Sequence, residues 1–269
     1  MIEHTKLVKV CSAFIEPLSI VSTEQLLNGF SNDNFLIRTQ QSAYLLKCYK
    51  TQWPTIGLQA QQALSKQFIC PKPIWTDKKN NYAAFNYIEG DIAQNNTQQN
   101  LISKLAKVHA YPVKTPAMNI AQELLYYQQS DIYKHHQLQI EQALKSIAHM
   151  PYSEGFCHND LVKDNIIVNA SGMYLIDFEY AQTNDVYFDL AALAVSFNLN
   201  AQSREALLNS YKACLEKKDG FYFSTKKLDY YILLFLVLCI GWYEQRDINT
   251  KSAGLRAQLI KLLERLRCH

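Results

Sequence analysis

Residues 156–190 constrain the fold of this chain most strongly, because polar side chains recur there at fixed intervals between apolar runs. His158, Asp160 and Asn165 follow one another in a short polar segment, and Asp177 comes after two strand-like runs joined by a turn. Runs rich in β-branched and aromatic residues on either side of a Gly-containing turn predict a hairpin. Asn165 is therefore expected where the hairpin begins, and Asp177 where it ends. The predicted hairpin consists of strands 166–168 and 174–176 with the turn 169–172.

These polar residues match the requirements of phosphoryl transfer from ATP. That reaction needs a carboxylate to orient or deprotonate the acceptor hydroxyl, oxygen ligands for Mg²⁺, and a cation on the phosphates. Asp160 is suited to the first role, and we interpret Asn165 and Asp177 as ligands because Mg²⁺ prefers hard oxygen atoms. We interpret His158 as a brace of the loop. A single Asp or Asn in a loop is usually a turn residue or a cap, so the interpretation depends on the combined spacing.

Two segments carry a family resemblance. CHNDLVKDN (157–165) and LIDFEYA (175–181) resemble the catalytic loop and the metal-binding segment of bacterial choline kinase-like proteins in the aminoglycoside phosphotransferase/choline kinase superfamily. Residues 59–73, 123–131 and 240–244 resemble parts of bacterial thiamine kinase. The resemblance implies an α+β, protein-kinase-like bilobal fold, with a small antiparallel-sheet N-lobe and a mostly helical C-lobe. It also implies ATP, Mg²⁺ and a small alcohol acceptor.

Composition narrows the class of protein. Hydrophobic residues make up 48% of the 269 residues, which supports a sizeable core and argues against disorder. The net charge of +3 and the lack of a basic block give no indication of nucleic-acid binding. The seven cysteines are scattered without a C-x-x-C pair, and the N-terminus lacks a signal-peptide core, so we expect a cytoplasmic protein. The apolar run 230–242 is shorter than the roughly 20 residues of a membrane span and predicts a buried helix.

The order of periodic segments predicts two domains, a nucleotide-binding lobe at 1–90 and a helical lobe with the catalytic loop and acceptor site at 91–269. In the first lobe we predict helices at 3–15 and 55–68 and strands at 19–27, 35–38, 43–49, 74–76 and 82–88, and a polar connector follows at 91–99. In the second lobe we predict helices at 98–109, 120–150, 188–198, 203–215, 225–246 and 252–267.

The resemblance also assigns the ATP-binding residues. Lys47 matches the third-strand cation that reaches the α- and β-phosphates in this family. Ser31 and Asn32 lie in the loop that corresponds to the phosphate-facing loop, where small residues let backbone N–H groups approach phosphate oxygens. Asn86 and Ile88 lie in the segment that corresponds to the hinge, whose backbone meets the adenine.

One part of the nucleotide site departs from the protein-kinase pattern. Protein kinases hold the third-strand lysine with a glutamate from the following helix, but residues 35–76 contain neither Asp nor Glu. Gln59 and Gln62 are the obvious substitutes for that glutamate. A neutral side chain would orient Lys47 less strongly than a carboxylate.

Several aromatic and acidic residues are candidates for the acceptor site. Aromatic faces combined with carboxylates suit a quaternary ammonium or a thiazolium cation. An aromatic residue at helical spacing belongs to the core more often than to a site, so these assignments depend on the resemblance. The candidates are Trp242, Glu244, Tyr126, Asp131 and Glu179.

Some alternatives stay open at the level of sequence. The catalytic loop favours choline or ethanolamine as acceptor, whereas the flanking helices and the length favour thiamine. An aminoglycoside acceptor is less favoured because no long acidic run is present, and protein kinase activity is disfavoured because no A-P-E segment follows Asp177. A nucleotide-binding module without catalysis is a further alternative. Two further residues have two interpretations each. Asp189 is either a helix N-cap or a ligand, and Lys163 is either a phosphate contact or a solvated residue. The sequence does not indicate an oligomeric state.

Overall fold

The computed structural model divides the chain into two compact units. The first unit comprises Met1–Ile92 and Ile166–Glu179, and the second comprises Ala93–Asn165 and Tyr180–His269. The predicted boundary at residue 90 lies close to the end of the first segment, but the prediction placed the whole 166–179 hairpin in the second domain. The structure groups this hairpin with the first unit, because its first strand pairs with a short strand at the end of the N-terminal segment. The structure describes residues 4–27, 31–94, 99–217 and 220–267.

An antiparallel sheet forms the centre of the first unit. Its strands confirm the five predicted from alternating apolar residues, with ends that shift by a few positions. The third strand lies at the middle of the sheet, so its side chains have neighbours on both sides. The strands are β1 (Ile20–Leu26), β2 (Asp33–Thr39), β3 (Ala43–Cys48), β4 (Pro73–Asp77) and β5 (Tyr82–Asn86), in the spatial order β1-β2-β3-β5-β4.

Each face of this sheet has its own hydrophobic cluster. Leu7 of the N-terminal helix belongs to one cluster with Leu46, and Leu58 of the next helix belongs to another with Phe85. Successive side chains along a strand point to opposite faces, so Lys47 shares a face with Leu58 rather than with Leu46. The two helices are α1 (His4–Cys11) and α2 (Thr55–Leu64), the second followed by a 3-10 turn at Ser65–Gln67.

A three-stranded sheet completes the first unit. The predicted hairpin is confirmed, and the backbone N–H of Leu175 donates to the carbonyl of Ile69 over 2.8 Å. One strand of this sheet was not predicted, because it is two residues long and lies in the polar segment that we interpreted as a connector. In the order β6-β8-β9 the strands are β6 (Asp91–Ile92), β8 (Ile166–Asn169) and β9 (Gly172–Leu175).

Helices dominate the second unit, and one helix prediction is wrong. The single helix expected over 120–150 is three helices, because the Ser130 side chain accepts the Tyr133 N–H and starts a new helix after a turn. A further break falls at His136. The helices are α3 (Gln99–His109), α4 (Ile120–Leu125), α5 (Asp131–His135), α6 (Gln137–Ala148), α7 (Tyr187–Ser196), α8 (Ala201–Cys214), α9 (Thr225–Glu244) and α10 (Asn249–Arg267).

A two-stranded sheet, which the sequence did not predict, leads into the predicted catalytic loop. Its strands, β7 (Glu154–Cys157) and β10 (Gln182–Asp185), pair antiparallel, and β7 ends directly before His158. The buried ammonium of Lys227 connects this sheet to α9, since it lies 2.5 Å from Asp185 and donates to the carbonyl of Pro151, shortly before β7. The sheet therefore fixes where the predicted catalytic loop begins.

The core of the second unit is formed by α7 and α9. Residues Tyr187 to Val195 of α7 are all buried, and so is α9 from Lys227 to Val237. The apolar run 230–242 thus lies in a buried helix, as predicted. Within the described ranges, no helix combines the length and the apolar character that crossing a membrane requires.

We expect Gly57→Ala to destabilise the protein by about 1–3 kcal/mol, the usual cost of overpacking a closely packed site. A Cβ atom at Gly57 would lie 1.9 Å from the backbone oxygen of Phe178, so α2 and the segment after β9 would have to separate. Urea unfolding measures the effect. The matched control is Gly254→Ala on α10, where a Cβ meets nothing within 4 Å and alanine should be neutral or stabilising. Equal free energies of unfolding for the two variants would contradict the prediction.

Candidate active site

Lys47 lies near the end of β3 and is only 5% exposed. Its ammonium group forms an ion pair with Asp177, and Glu179 Oε2 lies 3.7 Å away. The ring of Tyr49 lies 5.2 Å from the same nitrogen. A buried ammonium requires such partners, because transfer of a charge out of water costs several kcal/mol. The predicted phosphate-binding lysine is therefore held by carboxylates that follow β9.

The sequence left open whether a glutamine replaces the clamp glutamate. Gln59 and Gln62 both lie on exposed positions of α2. The partners of Lys47 are the carboxylates of Asp177 and Glu179 instead, so a charged contact orients the lysine after all. The sequence did not reveal this arrangement, because 130 residues separate the lysine from Asp177.

Asn32 contacts the same cluster. Its Nδ2 donates to Glu179 Oε2 over 2.5 Å, and its Oδ1 accepts the backbone N–H of Lys50 over 3.2 Å. Glu179 therefore belongs to the surroundings of Lys47, whereas the sequence placed it among the acceptor candidates. Ser31 is half-buried next to Asn32. The first two residues of the predicted phosphate loop, Gly29 and Phe30, lie outside the described part of the chain, and its last two, Asp33 and Asn34, begin β2.

The cluster around Lys47 carries surplus negative charge. Two carboxylates, from Asp177 and Glu179, face one ammonium group. Burial raises the pKa of Tyr49 strongly, and the charges of Asp177 and Glu179 raise it further. Opposite Lys47 on β2, the buried Oδ1 of Asn34 has no hydrogen-bond partner. Hard oxygen atoms with a net negative charge fit a divalent cation such as Mg²⁺.

The predicted hinge follows β5. The backbone N–H of Asn86 donates to the Lys72 carbonyl over 3.3 Å, and that of Tyr87 donates to the Ala43 carbonyl over 3.0 Å. The Asn86 side chain is exposed and Ile88 is half-buried. A cavity of about 450 Å³ lies alongside, lined in part by Tyr87 and Ile88. The segment thus has both a fixed backbone and accessible space.

In the second unit, Asn165 is bound to Asp160. The Asn165 amide nitrogen donates to the Asp160 carbonyl over 2.8 Å and to Asp160 Oδ2 over 2.9 Å. Because the amide nitrogen is used in this way, the Asn165 oxygen is the atom that can face a cation. The predicted base and the predicted ligand are therefore coupled, and the carboxylate of Asp160 has a fixed orientation.

His158 is completely buried. Its Nδ1 accepts the backbone N–H of Asp160 over 3.3 Å, so this nitrogen carries no proton. That contact supports the interpretation of His158 as a brace, and burial keeps its ring away from solvent.

Asp189 holds the loop from behind. Its carboxylate accepts the backbone N–H groups of His158 and Asn159 over 2.7 and 2.8 Å. Val186, rather than Asp189, is at the N-cap of α7, and the helix has no side-chain cap. Asp189 is fully buried, so the prediction of a helix cap is corrected to a support of the catalytic loop.

Two further residues extend this support and were missed in the sequence. His109 Nε2 lies 3.1 Å from Asp189 Oδ2, and His109 Nδ1 lies 2.7 Å from the hydroxyl of Tyr211. His109 ends α3 and Tyr211 lies on α8, so a chain of hydrogen bonds connects two helices to the loop. Neither residue carries a local sequence signal, since a histidine or tyrosine at helical spacing is usually a core residue.

The candidate acceptor residues have partners within the protein. The guanidinium group of Arg246 lies 3.9 Å from the ring centroid of Trp242. Glu244 forms an ion pair with Arg256, and its Oε2 lies 3.5 Å from the backbone nitrogen of Ile132. The other two candidates, Tyr126 and Asp131, are exposed, at the end of α4 and the start of α5.

The last turns of α9 lie within electrostatic reach of the catalytic loop. Burial raises the pKa of Tyr243 to about 12, and the charges of Cys239, Asp164 and Asp160 contribute to this shift. Burial also raises the pKa of Cys239 strongly, again with a contribution from Asp160. Cys239 and Tyr243, on the same turns of α9 as Trp242 and Glu244, are therefore within electrostatic reach of Asp160.

The fold belongs to the protein-kinase-like class, as comparison with solved structures shows. The choline kinase LicA from Streptococcus pneumoniae superposes with a TM-score of 0.76 at 22% identity, covering 99% of this chain and 100% of that chain. A structure of LicA in complex with AMP superposes with a TM-score of 0.71 at 21% identity, covering 97% and 98%. The predicted α+β kinase-like fold is confirmed.

The chain belongs to the phosphotransferase enzyme family, whose sequence profile matches residues 22–221. The LicA homolog of Mycoplasma capricolum is 27% identical over 173 residues, which cover 59% of this chain and 71% of that protein. The thiamine kinase of Salmonella paratyphi B is 32% identical over 93 residues, which cover 33% of this chain and 31% of that protein. The predicted class, a phosphotransferase with an alcohol group as acceptor, is confirmed.

We expect Asp189→Asn to lower the free energy of unfolding by roughly 2–3 kcal/mol, because two charge-assisted hydrogen bonds are weakened at a buried site. Hydrogen exchange at the His158 and Asn159 amides should accelerate by roughly tenfold or more. Urea unfolding and exchange measured by mass spectrometry or NMR test both effects. Asp164→Asn, which alters an exposed carboxylate in the same loop, is the control. Unchanged exchange at both amides would show that Asp189 does not hold the loop.

Proposed function

We propose that this protein is an ATP- and Mg²⁺-dependent kinase that transfers the γ-phosphate to the hydroxyl of a small cationic alcohol. The observation that carries the proposal is the pairing of Lys47 with Asp177 in one unit, together with the pairing of Asp160 with Asn165 in the other. Phosphoryl transfer requires a phosphate-binding cation, oxygen ligands for the metal and a carboxylate for the acceptor, and these residues supply all three.

Asp160 receives or orients the proton of the acceptor hydroxyl. The amide of Asn165 holds its Oδ2, and the loop beneath it is fixed by His158 and Asp189. A carboxylate in a fixed orientation lowers the entropic cost of bringing the hydroxyl into line with the phosphate. His158 has a positioning role here and does not contact the substrate.

Asp177 and the side-chain oxygen of Asn165 are the proposed Mg²⁺ ligands. The surplus negative charge beside Lys47 supports Asp177 in this role, and Glu179 supplies a second carboxylate there. Bound Mg²⁺ would neutralise charge that develops on the phosphate oxygens.

Lys47 exchanges its carboxylate partner for a phosphate when the nucleotide binds. Asn86 and Ile88 offer backbone groups to the adenine, and Ser31 and Asn32 border the phosphates. Nucleotide binding has support from the solved LicA complex with AMP, although that likeness is to the fold. Asn32 connects the loop to the carboxylate cluster, because its side chain donates a hydrogen bond to Glu179.

A small cationic alcohol is the proposed acceptor, with choline or ethanolamine before thiamine. The LicA homolog aligns over 59% of this chain, compared with 33% for thiamine kinase, and LicA from S. pneumoniae is described as a choline kinase. Trp242 and Glu244 each contact an arginine in the structure, and these contacts support their assignment to a site for a cation. Tyr126 and Asp131 are exposed and could contact the acceptor after a local rearrangement.

An ADP-release assay with Mg-ATP tests this assignment. The acceptor panel is choline, ethanolamine, thiamine and an aminoglycoside, and we expect turnover with one of the first three. Turnover of the aminoglycoside alone would favour the antibiotic-modifying alternative. Nucleotide binding without turnover of any acceptor would favour a non-catalytic binding module.

We expect Asp160→Ala to lower kcat by a factor of about 10²–10⁴, the usual contribution of general base catalysis, with little change in ATP affinity. The measurement is steady-state ADP release with the best acceptor of the panel. Glu141→Ala, which removes an exposed carboxylate on α6, should retain the wild-type rate. If Asp160→Ala retained wild-type turnover, the assignment of the base would be wrong.

We expect Lys47→Met to weaken ATP binding by roughly tenfold to a hundredfold, since a charge-assisted contact with phosphate is lost. Isothermal titration with a non-hydrolysable ATP analogue measures the change. Lys50→Met is the matched control three residues along the chain, because Lys50 is exposed and its ion pair with Asp33 is partly exposed. Equal affinities for Lys47→Met and the control would place the phosphate contact elsewhere.

A further inference from the structure

A second cavity lies within the helical unit, lined by α6, α8, α9 and α10. Its volume is about 810 Å³, within the range that holds a small ligand. None of the residues that line it belongs to the proposed ATP, metal or acceptor groups. Arg204, Asp229 and Arg265, one from each of α8, α9 and α10, form part of its wall. The cavity therefore has a polar wall that phosphoryl transfer does not use.

The charges of Arg204, Asp229 and Arg265 do not cancel, because two cations meet one carboxylate. Arg204 Nη1 contacts Asp229 Oδ1 over 3.1 Å, and Arg265 forms an ion pair with the same oxygen. The exposed fractions of the Arg204, Asp229 and Arg265 side chains are only 13%, 12% and 26%. Two guanidinium groups thus share one carboxylate in a poorly solvated place, where an uncompensated charge is costly. An anion in the cavity would compensate it.

Neighbouring groups add to the positive potential. Lys226 and Arg267 also line the cavity, and Glu205 is the one other acidic residue of its wall, which makes four cations and two carboxylates. The first residues of α8 and α9 face the cavity as well, and the N-terminal ends of helices carry partial positive charge. The C-terminal turn of α10 also lines the cavity, and its partial negative charge offsets the partial positive charge of one of these helix ends. Burial, and then the charge of Arg265, lower the pKa of Arg204, as expected where cations crowd.

The donor groups suit a phosphate. Arg204 uses its Nε on the carbonyl of Leu199 and its Nη1 on Asp229, which leaves further N–H groups of the five that a guanidinium carries. The surplus of two positive charges matches a phosphate monoester, which carries about −1.5 to −2 at neutral pH. Gln139 and Tyr230 add an amide and a hydroxyl for the rest of such a molecule.

We propose that this cavity binds a small phosphorylated molecule, with the phosphate held between Arg204 and Arg265 and assisted by Lys226. The site is independent of the proposed kinase reaction, because its residues and those of the reaction do not overlap. A ligand bound there adds contacts to three helices that already share the carboxylate of Asp229, so binding stabilises the fold of the second unit.

Inorganic phosphate is the probe for the experiment. Isothermal titration and thermal unfolding are carried out on the full chain, with acetate at equal ionic strength as the test of a carboxylate ligand. Two variants address the site. Thr225→Glu places a negative charge at the first residue of α9, an exposed position where an acidic side chain favours the helix, so this variant should fold. Arg265→Gln removes one guanidinium and retains the pair between Arg204 and Asp229.

We expect phosphate to bind the wild type and raise its Tm, and both variants to weaken this binding by about tenfold or more. Lys261→Gln, which removes an exposed cation from the same helix as Arg265, should bind phosphate as the wild type does, and so should Lys47→Met. Absence of phosphate binding by the wild type would overturn the proposal. Wild-type affinity for phosphate in Thr225→Glu would also overturn the proposal. So would a loss of phosphate binding in Lys261→Gln as large as the loss in Arg265→Gln. Loss of phosphate binding in Lys47→Met alone would place the bound phosphate at Lys47 and would overturn the proposal as well. Equal binding of acetate would overturn the preference for phosphate.

Discussion

The buried ammonium group of Lys47 is the constraint on which the first unit depends. Lys47 is only 5% exposed on an inner strand, so the fold must bring negative charge to it. The chain does so by returning to the first unit for Ile166–Glu179, whose end supplies Asp177 and Glu179. The close approach of α2 to this segment at Gly57 follows from the same requirement, since a larger residue there would push the carboxylates away from the sheet.

In the second unit the buried charge that must be compensated is a carboxylate. Asp189 is inaccessible to water, and its charge is compensated by the backbone N–H groups of His158 and Asn159 and by contact with His109. Because these amides lie directly before Asp160, the compensation of a buried charge also fixes the predicted catalytic loop. Asn159 has a positive φ of 62°, a backbone conformation that asparagine tolerates better than most residues and that turns the chain toward Asp160. Stability and the geometry of the site therefore depend on the same contacts.

The sequence predicted local features well and distant partners poorly. Alternation and helical periodicity located all five strands of the first sheet and the buried helix α9, because those signals depend on neighbours in the chain. The helix expected over 120–150 was too long, since its apolar period continues through the capping residue Ser130. The spacing of His158, Asp160 and Asn165 was a local signal too, and it predicted the loop that carries these residues. The partners of Lys47 and Asp189 could not be predicted, because nothing local marks a contact between residues far apart in sequence.

Cations from the protein already bind the residues proposed to bind cationic ligands. Lys47 contacts Asp177, Arg256 contacts Glu244, and Arg246 covers the ring of Trp242. A carboxylate left alone in a half-buried place would be poorly solvated, and the internal cations prevent this while the ligand is absent. Ligand binding is then an exchange of one cation for another, so much of the cost of desolvating the carboxylate has been met during folding. The affinity for the proposed cationic acceptor would consequently depend on how easily Arg246, just after α9, and Arg256, a partly exposed residue of α10, move into water. If the proposed acceptor site is correct, we expect substrate selectivity to depend on these arginines as much as on the aromatic and acidic groups that they cover.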